Sequence, residues 1–165
     1  MTRYVGVVGA AFCDEDTADL AYRVGKALAR KGLIVVCGGM GGVMEAVARG
    51  ASEEKGVVIG ILPGRDRLEG NRHLTYSIPT GLGDARNAVI ACAADAVIAI
   101  AGGFGTLSEI SLARKAGKPV VGLKTWKATN GKGEDIGVIE AADPEDAVAK
   151  ILEILKAKRG ESRKL

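Results

Sequence analysis

Histidine is nearly absent from this chain, which has one, His73, in 165 residues. Aromatic residues make up 4%, and there are four prolines and three cysteines. Each scarcity excludes a class of chemistry. Cys13, Cys37 and Cys92 are odd in number, lie far apart and form no CxxC. With a single histidine beside them, they give no Cys/His metal site, and no metal is expected. They read instead as small core residues. A Ser/His/Asp hydrolase is excluded because His73 falls in a polar stretch and no GxSxG occurs. No GxxxxGK[ST] offers a P-loop, and no GxGxxG followed by an acidic residue offers a dinucleotide fingerprint. No apolar run approaches the roughly 20 residues that span a bilayer. Unpaired thiols and the lack of a signal-peptide pattern make the cytoplasm the expected location. Few aromatics are available to stack on bases, so nucleic acid is not an expected partner.

What the chain has in quantity is aliphatic residues and glycine. Hydrophobic residues reach 47%, and there are 24 glycines, clustered where strands should end. The length suits one domain with its own core. The net charge of +3 is misleading. Residues 150–165 hold six Lys/Arg against Glu153 and Glu161, a net of +4, so the body carries −1. The expected organisation is therefore one domain over 1–158 and a basic, frayed tail over 159–165.

Short β-branched runs alternate with helical periodicity along the chain. Tyr4–Val8 reads as a first strand, followed by a turn over Gly9–Cys13. A helix capped by Asp14 or Asp16 then runs to about Lys31, where Gly32 ends it. The second strand is expected over Leu33–Cys37, the third over Val57–Leu62 and a fourth over Leu74–Ile78. Between the last two lies a polar loop with Arg65, Arg67 and Arg72, read as solvated in preference to a phosphate-contacting lid. A helix from near Asp84 to Ala94 leads to the apolar strand Ala96–Ile100. The next helix opens near Thr106 and closes at Gly117, before a strand at Val120–Leu123. A short strand near Val138–Ala141 and a helix capped by Asp143 complete the pattern. Such alternation predicts an α/β fold: a single Rossmann-like, doubly wound parallel sheet with helices on both faces.

In such sheets ligands lie outside the carboxyl ends of the strands. Two glycine-rich turns fall there, Gly38-Gly39-Met40-Gly41-Gly42 and Ala101-Gly102-Gly103-Phe104-Gly105-Thr106. Glycine lets the backbone turn sharply and bring N–H groups against a ligand, and a helix start adds unpaired N–H groups and the positive end of its dipole. This is chemistry for an anion, most naturally a phosphate. Glu109 lies about one turn inside the second helix, either as a dipole partner or as a working group.

These residues resemble the LOG-like nucleotide-binding family. Ala101–Glu109 is similar to its PGGxGTxxE motif, and Gly38–Met44 to its GGGxxGLM motif. Arg86 stands fifteen residues before Ala101, where the family keeps an arginine. The chain resembles most closely the branch that contains molybdenum cofactor carrier proteins and uncharacterised bacterial and archaeal members. The "possible lysine decarboxylase" label of some relatives finds no support, since no lysine is set up to hold pyridoxal phosphate. Ala101, Cys37 and Ser108 depart from the family pattern, as does Asn87, where the cytokinin-activating members usually have lysine.

The resemblance implies a nucleoside 5′-monophosphate phosphoribohydrolase or a non-catalytic carrier or sensor, for example of molybdenum cofactor, acting as a homodimer or higher oligomer. Hydrolysis would need no cofactor. Glu109 would stabilise or attack a ribosyl cation, and Arg86 would hold phosphate or orient Glu109. Gly39, Gly41, Gly42, Gly102, Gly103, Gly105 and Thr106 would bind phosphate oxygens, with Gly9, Met44 and Asn87 as further contacts. The alternative for Arg86 and Glu109 is a structural ion pair.

Overall fold

A computed structural model describes residues 3–162. Its strands are β1 (Tyr4–Gly9), β2 (Ile34–Cys37), β3 (Val58–Leu62), β4 (Tyr76–Pro79), β5 (Ala96–Ile100), β6 (Val120–Leu123) and β7 (Val138–Glu140). Helices α1 (Glu15–Arg30), α2 (Val43–Glu53), α3 (Arg86–Ala93), α4 (Phe104–Lys115) and α5 (Pro144–Ser162) follow β1, β2, β4, β5 and β7. The sheet order is β4-β3-β2-β1-β5-β6-β7, and every adjacent pair is parallel. This is the doubly wound α/β sheet that the sequence predicts.

Alternation along each strand divides the core in two. Val5, Val7, Ile98 and Ile100 face one layer with Val24, Leu28, Val47 and Ile151 from α1, α2 and α5. Val8, Val97 and Ala99 face the other, with Ile90 and Ile110 from α3 and α4. The helices α1 and α2 meet through glycine. A Cβ on Gly25 would strike the backbone of Val47 and Ala51, and one on Gly50 would strike that of Tyr22.

Several boundaries differ from expectation, each for a local reason. The Asp14 carboxylate accepts from the Thr17 N–H at 2.8 Å, so Asp14 and not Asp16 caps α1. The fourth strand starts at Tyr76 because Thr75 is bonded through its backbone and its hydroxyl to Val58. A 3-10 turn, Gly83–Ala85, precedes α3, so this helix begins at Arg86. Helix α4 begins at Phe104, two residues before the expected start. Cys37 is buried, Cys13 half-buried and Cys92 exposed on α3, so Cys92 is not a core residue. Helix α5 continues through Ser162, taking in the start of the expected tail, and residues 163–165 lie outside the described region. Among the described residues no helix is long and apolar enough to cross a membrane.

Candidate functional site

The chain builds outward from β1 to β4, then returns to place β5 against the other side of β1. The turns after β1 and β5 therefore leave in opposite directions and open a crevice at the carboxyl edge. Both glycine-rich turns lie at this edge, but they are built differently.

In the turn before α2 one donor is taken up by the protein itself. The Val43 N–H already donates to the Ala10 carbonyl at 3.0 Å. Gly42 sits at φ +61° against the backbone of Ala10 and Ala11, and Gly39 at φ +72° against Leu62. Gly9 packs on Val43 and Ile100, and Gly41 approaches Ala11. These glycines are required by close packing and by left-handed backbone. Asn71 fastens the 65–73 loop over the same turn, donating its amide to the carbonyls of Gly39 at 3.2 Å and Met40 at 2.9 Å. This anchor places Arg72 and His73 with Gly42, Glu45 and Arg49 around a cavity of about 260 Å³.

The turn before α4 is open. A Cβ on Gly103 or Gly105 would meet nothing within 4 Å, whereas Gly102, at φ +95°, rests on the buried Thr106 side chain. Leu107 is the first residue to donate within the helix, to the Gly103 carbonyl. The N–H groups of Phe104, Gly105 and Thr106 are thus the unpaired donors of the helix start. Two consecutive residues after β6 set their direction. The Thr125 hydroxyl donates to the Ala101 carbonyl at 2.7 Å, and the Trp126 indole N–H to the Gly103 carbonyl at 3.0 Å. In a trans peptide the carbonyl and the next N–H point oppositely. Tying back these carbonyls turns the Gly102 and Phe104 N–H groups away from Thr125 and Trp126. Neither residue belongs to a glycine motif, and only the fold brings them to the turn.

Arg86 begins α3 and Glu109 lies in α4, and both side chains are buried. Arg86 Nη1 is 3.8 Å from Glu109 Oε1, within ion-pair range and beyond hydrogen-bond length. Among the described residues its Nη2 meets only the Met44 sulfur, at 4.0 Å, and its Nε has no partner. The guanidinium fills the space over Gly38, where a Cβ would overlap both terminal nitrogens. Burial pushes the Glu109 carboxyl up to about 7, with the Arg86 charge acting in the opposite direction. Asn87 reaches the Ser108 hydroxyl at 3.4 Å, which donates to the Gly105 carbonyl at 2.7 Å, so it links α3 to the open turn. Among the described residues, no cluster of three His, Cys, Asp or Glu is placed to hold a metal.

The result is a Rossmann-like protein whose sheet edge carries an open helix start and a buried guanidinium short of oxygen acceptors. The chain belongs to the SLOG cluster4 family, whose profile matches residues 2–148. An uncharacterised protein of Archaeoglobus fulgidus is 48% identical over 120 residues, covering 73% of this chain and 79% of that one. The molybdenum cofactor binding protein of Rippkaea orientalis is 32% identical, with a TM-score of 0.84 over 94% of this chain and 98% of its own. A molybdenum cofactor carrier protein from Chlamydomonas reinhardtii is 35% identical, with a TM-score of 0.83 over 95% and 99%. DNA processing protein A from Streptococcus pneumoniae, at 20% identity and a TM-score of 0.68 over 90% of this chain and 61% of that one, shares the fold alone.

Proposed function

We propose that this protein binds a phosphorylated, nucleotide-like or pterin-like ligand at the carboxyl edge of its sheet and carries it intact. The observation behind this reading is Arg86. A guanidinium has five donors, and here it is buried with its Nε unpartnered among the described residues, Nη1 3.8 Å from the Glu109 carboxylate and Nη2 on a sulfur. Burial of a charge without full hydrogen bonding is costly, and an oxyanion would supply it. The donors of the α4 turn are suited to the same anion. Relatives named for binding and carrying molybdenum cofactor favour transport over turnover, with the cofactor as cargo.

A second reading, hydrolysis of a nucleoside 5′-monophosphate, rests on Glu109 lying beside Arg86 and within a turn of Gly105. Stabilising a ribosyl cation needs an ionised carboxylate, and burial raises the Glu109 pKa to about 7, which leaves about half of it ionised at neutral pH.

The test pairs calorimetric binding of nucleoside monophosphates and molybdenum cofactor with chromatography of the recovered ligand. Carriage predicts saturable binding and recovery of intact ligand. Arg86→Met should weaken binding by about 100-fold, the scale of losing a buried charged contact, while the protein stays folded. Free base released at a rate that Glu109→Gln abolishes would transfer the assignment to the hydrolase. Undiminished affinity in Arg86→Met would end the role given to the guanidinium.

A further inference from the structure

The chain has only two phenylalanines, and neither serves the core. Phe12 is 93% exposed in the turn after β1, and Phe104 is 82% exposed at the first position of α4. The two turns leave adjacent strands on either side of the crevice, in a chain whose aromatic content is 4%. Phe104 is also held from behind. Its ring lies 5.7 Å from that of Trp126 at an interplanar angle of 35°, and the Trp126 indole is fixed by its bond to the Gly103 carbonyl. Phe104 is the first residue of the helix whose unpaired N–H groups form the open turn, so its exposed ring is attached beside those donors.

We infer that Phe104, backed by Trp126, is the stacking platform for a planar heteroaromatic ring on the ligand whose anionic group occupies the α4 turn. This rests on the anion-binding reading above and deepens it by naming the second half of the ligand. A phosphate alone would use the N–H donors and leave Phe104 in water. A phosphorylated heterocycle, purine or pterin alike, uses both, since every such ring has a π-face that stacks without specific hydrogen bonds. The backing ring fixes the platform before binding, so little side-chain entropy is lost when the ligand arrives.

The experiment compares AMP with ribose 5-phosphate, which carries the same phosphate and sugar without the ring, on the full chain by calorimetry. The wild type should bind AMP at least about 10-fold more tightly, in keeping with one base–aromatic stack. Phe104→Leu should bring the two ligands within about twofold by weakening AMP alone, and Phe104→Tyr should restore the difference. Equal affinities in the wild type, or equal loss of both ligands in Phe104→Leu, would overturn the platform while leaving the anion turn standing. So would an unchanged ligand ratio in Phe104→Leu with a fall in molecular mass by light scattering, which would make Phe104 a contact between copies. Failure of both ligands to bind the wild type would remove the anion-binding reading and the platform together.

Discussion

Arg86 and Glu109 face each other across 3.8 Å, from α3 and α4, without closing a hydrogen bond. The gap follows from how each is held. Gly38 has no side chain, so the guanidinium settles over its Cα beside the Met44 sulfur. An ion pair serving only stability would gain by closing to hydrogen-bond length, because a buried pair offsets its desolvation only through good geometry.

The glycines of the first turn separate by what a methyl group would strike. In Gly38→Ala the obstacles are the ends of the flexible Arg86 and Met44 side chains, so the fold adjusts and the guanidinium moves. Stability should change by no more than about 1 kcal/mol, while affinity for AMP or phosphate should fall about 10-fold or more. In Gly42→Ala the obstacle is the backbone of Ala10 and Ala11, at φ +61°. That variant should lose on the order of 2 kcal/mol or more in urea unfolding. Equal thermodynamic damage in the two variants would contradict this division.

The sheet was legible because its strands are short β-branched runs punctuated by glycine, and because parallel strands buried on both faces need no alternation of polar residues. The pairing of Arg86 with Glu109 was legible only through the motif spacing that the family resemblance supplied. What sequence did not carry was contact at long range. Thr125 and Trp126 stand 24 and 23 residues from the carbonyls they hold. Asn71 stands 32 and 31 residues from those of Gly39 and Met40. Nor does sequence show why α1 and α2 carry Gly25 and Gly50, which the close approach of the two helices requires. Helix α4 starts two residues before Thr106 because Gly105, which reads as turn, lies inside the helix, where glycine costs only about 1 kcal/mol.

Ala101 stands where the family motif has proline, and its conformation explains why proline is excluded here. Its φ is +44°, and its N–H donates to the Leu123 carbonyl at 2.9 Å. Proline fixes φ near −65° and has no N–H, so both features fail. Ala101→Pro should therefore cost about 3 kcal/mol or more and weaken anion binding by distorting the turn. Ala101→Gly relieves the left-handed strain and should be neutral or stabilising by up to about 1 kcal/mol. Chemical denaturation of both variants measures the difference, and a Pro variant as stable as the wild type would refute this account of the turn.

The titration of Glu109 gives a signature that no exposed carboxylate would produce. In the folded protein its pKa is raised from 4.5 to about 7, chiefly by burial. Between those values the folded chain holds a proton that the unfolded chain has released, so the unfolded state binds fewer protons. Stability must then fall as pH rises through this window. The contribution is intact below pH 4.5, is lost progressively up to pH 7, and stays lost above it. The shift corresponds to a difference on the order of 3 kcal/mol. Glu109→Gln keeps the shape and cannot ionise, so it should match the wild type in urea unfolding at pH 4.5 and exceed it at pH 8. Ligand binding should follow the same sign. An oxyanion beside Glu109 favours the protonated acid, so binding above pH 7 should take up a proton and weaken as pH rises. Calorimetry in buffers of different ionisation enthalpy would detect that proton, and Glu109→Gln should abolish the uptake. A stability difference between the two proteins that is the same at pH 4.5 and pH 8 would show that Glu109 does not titrate in this window.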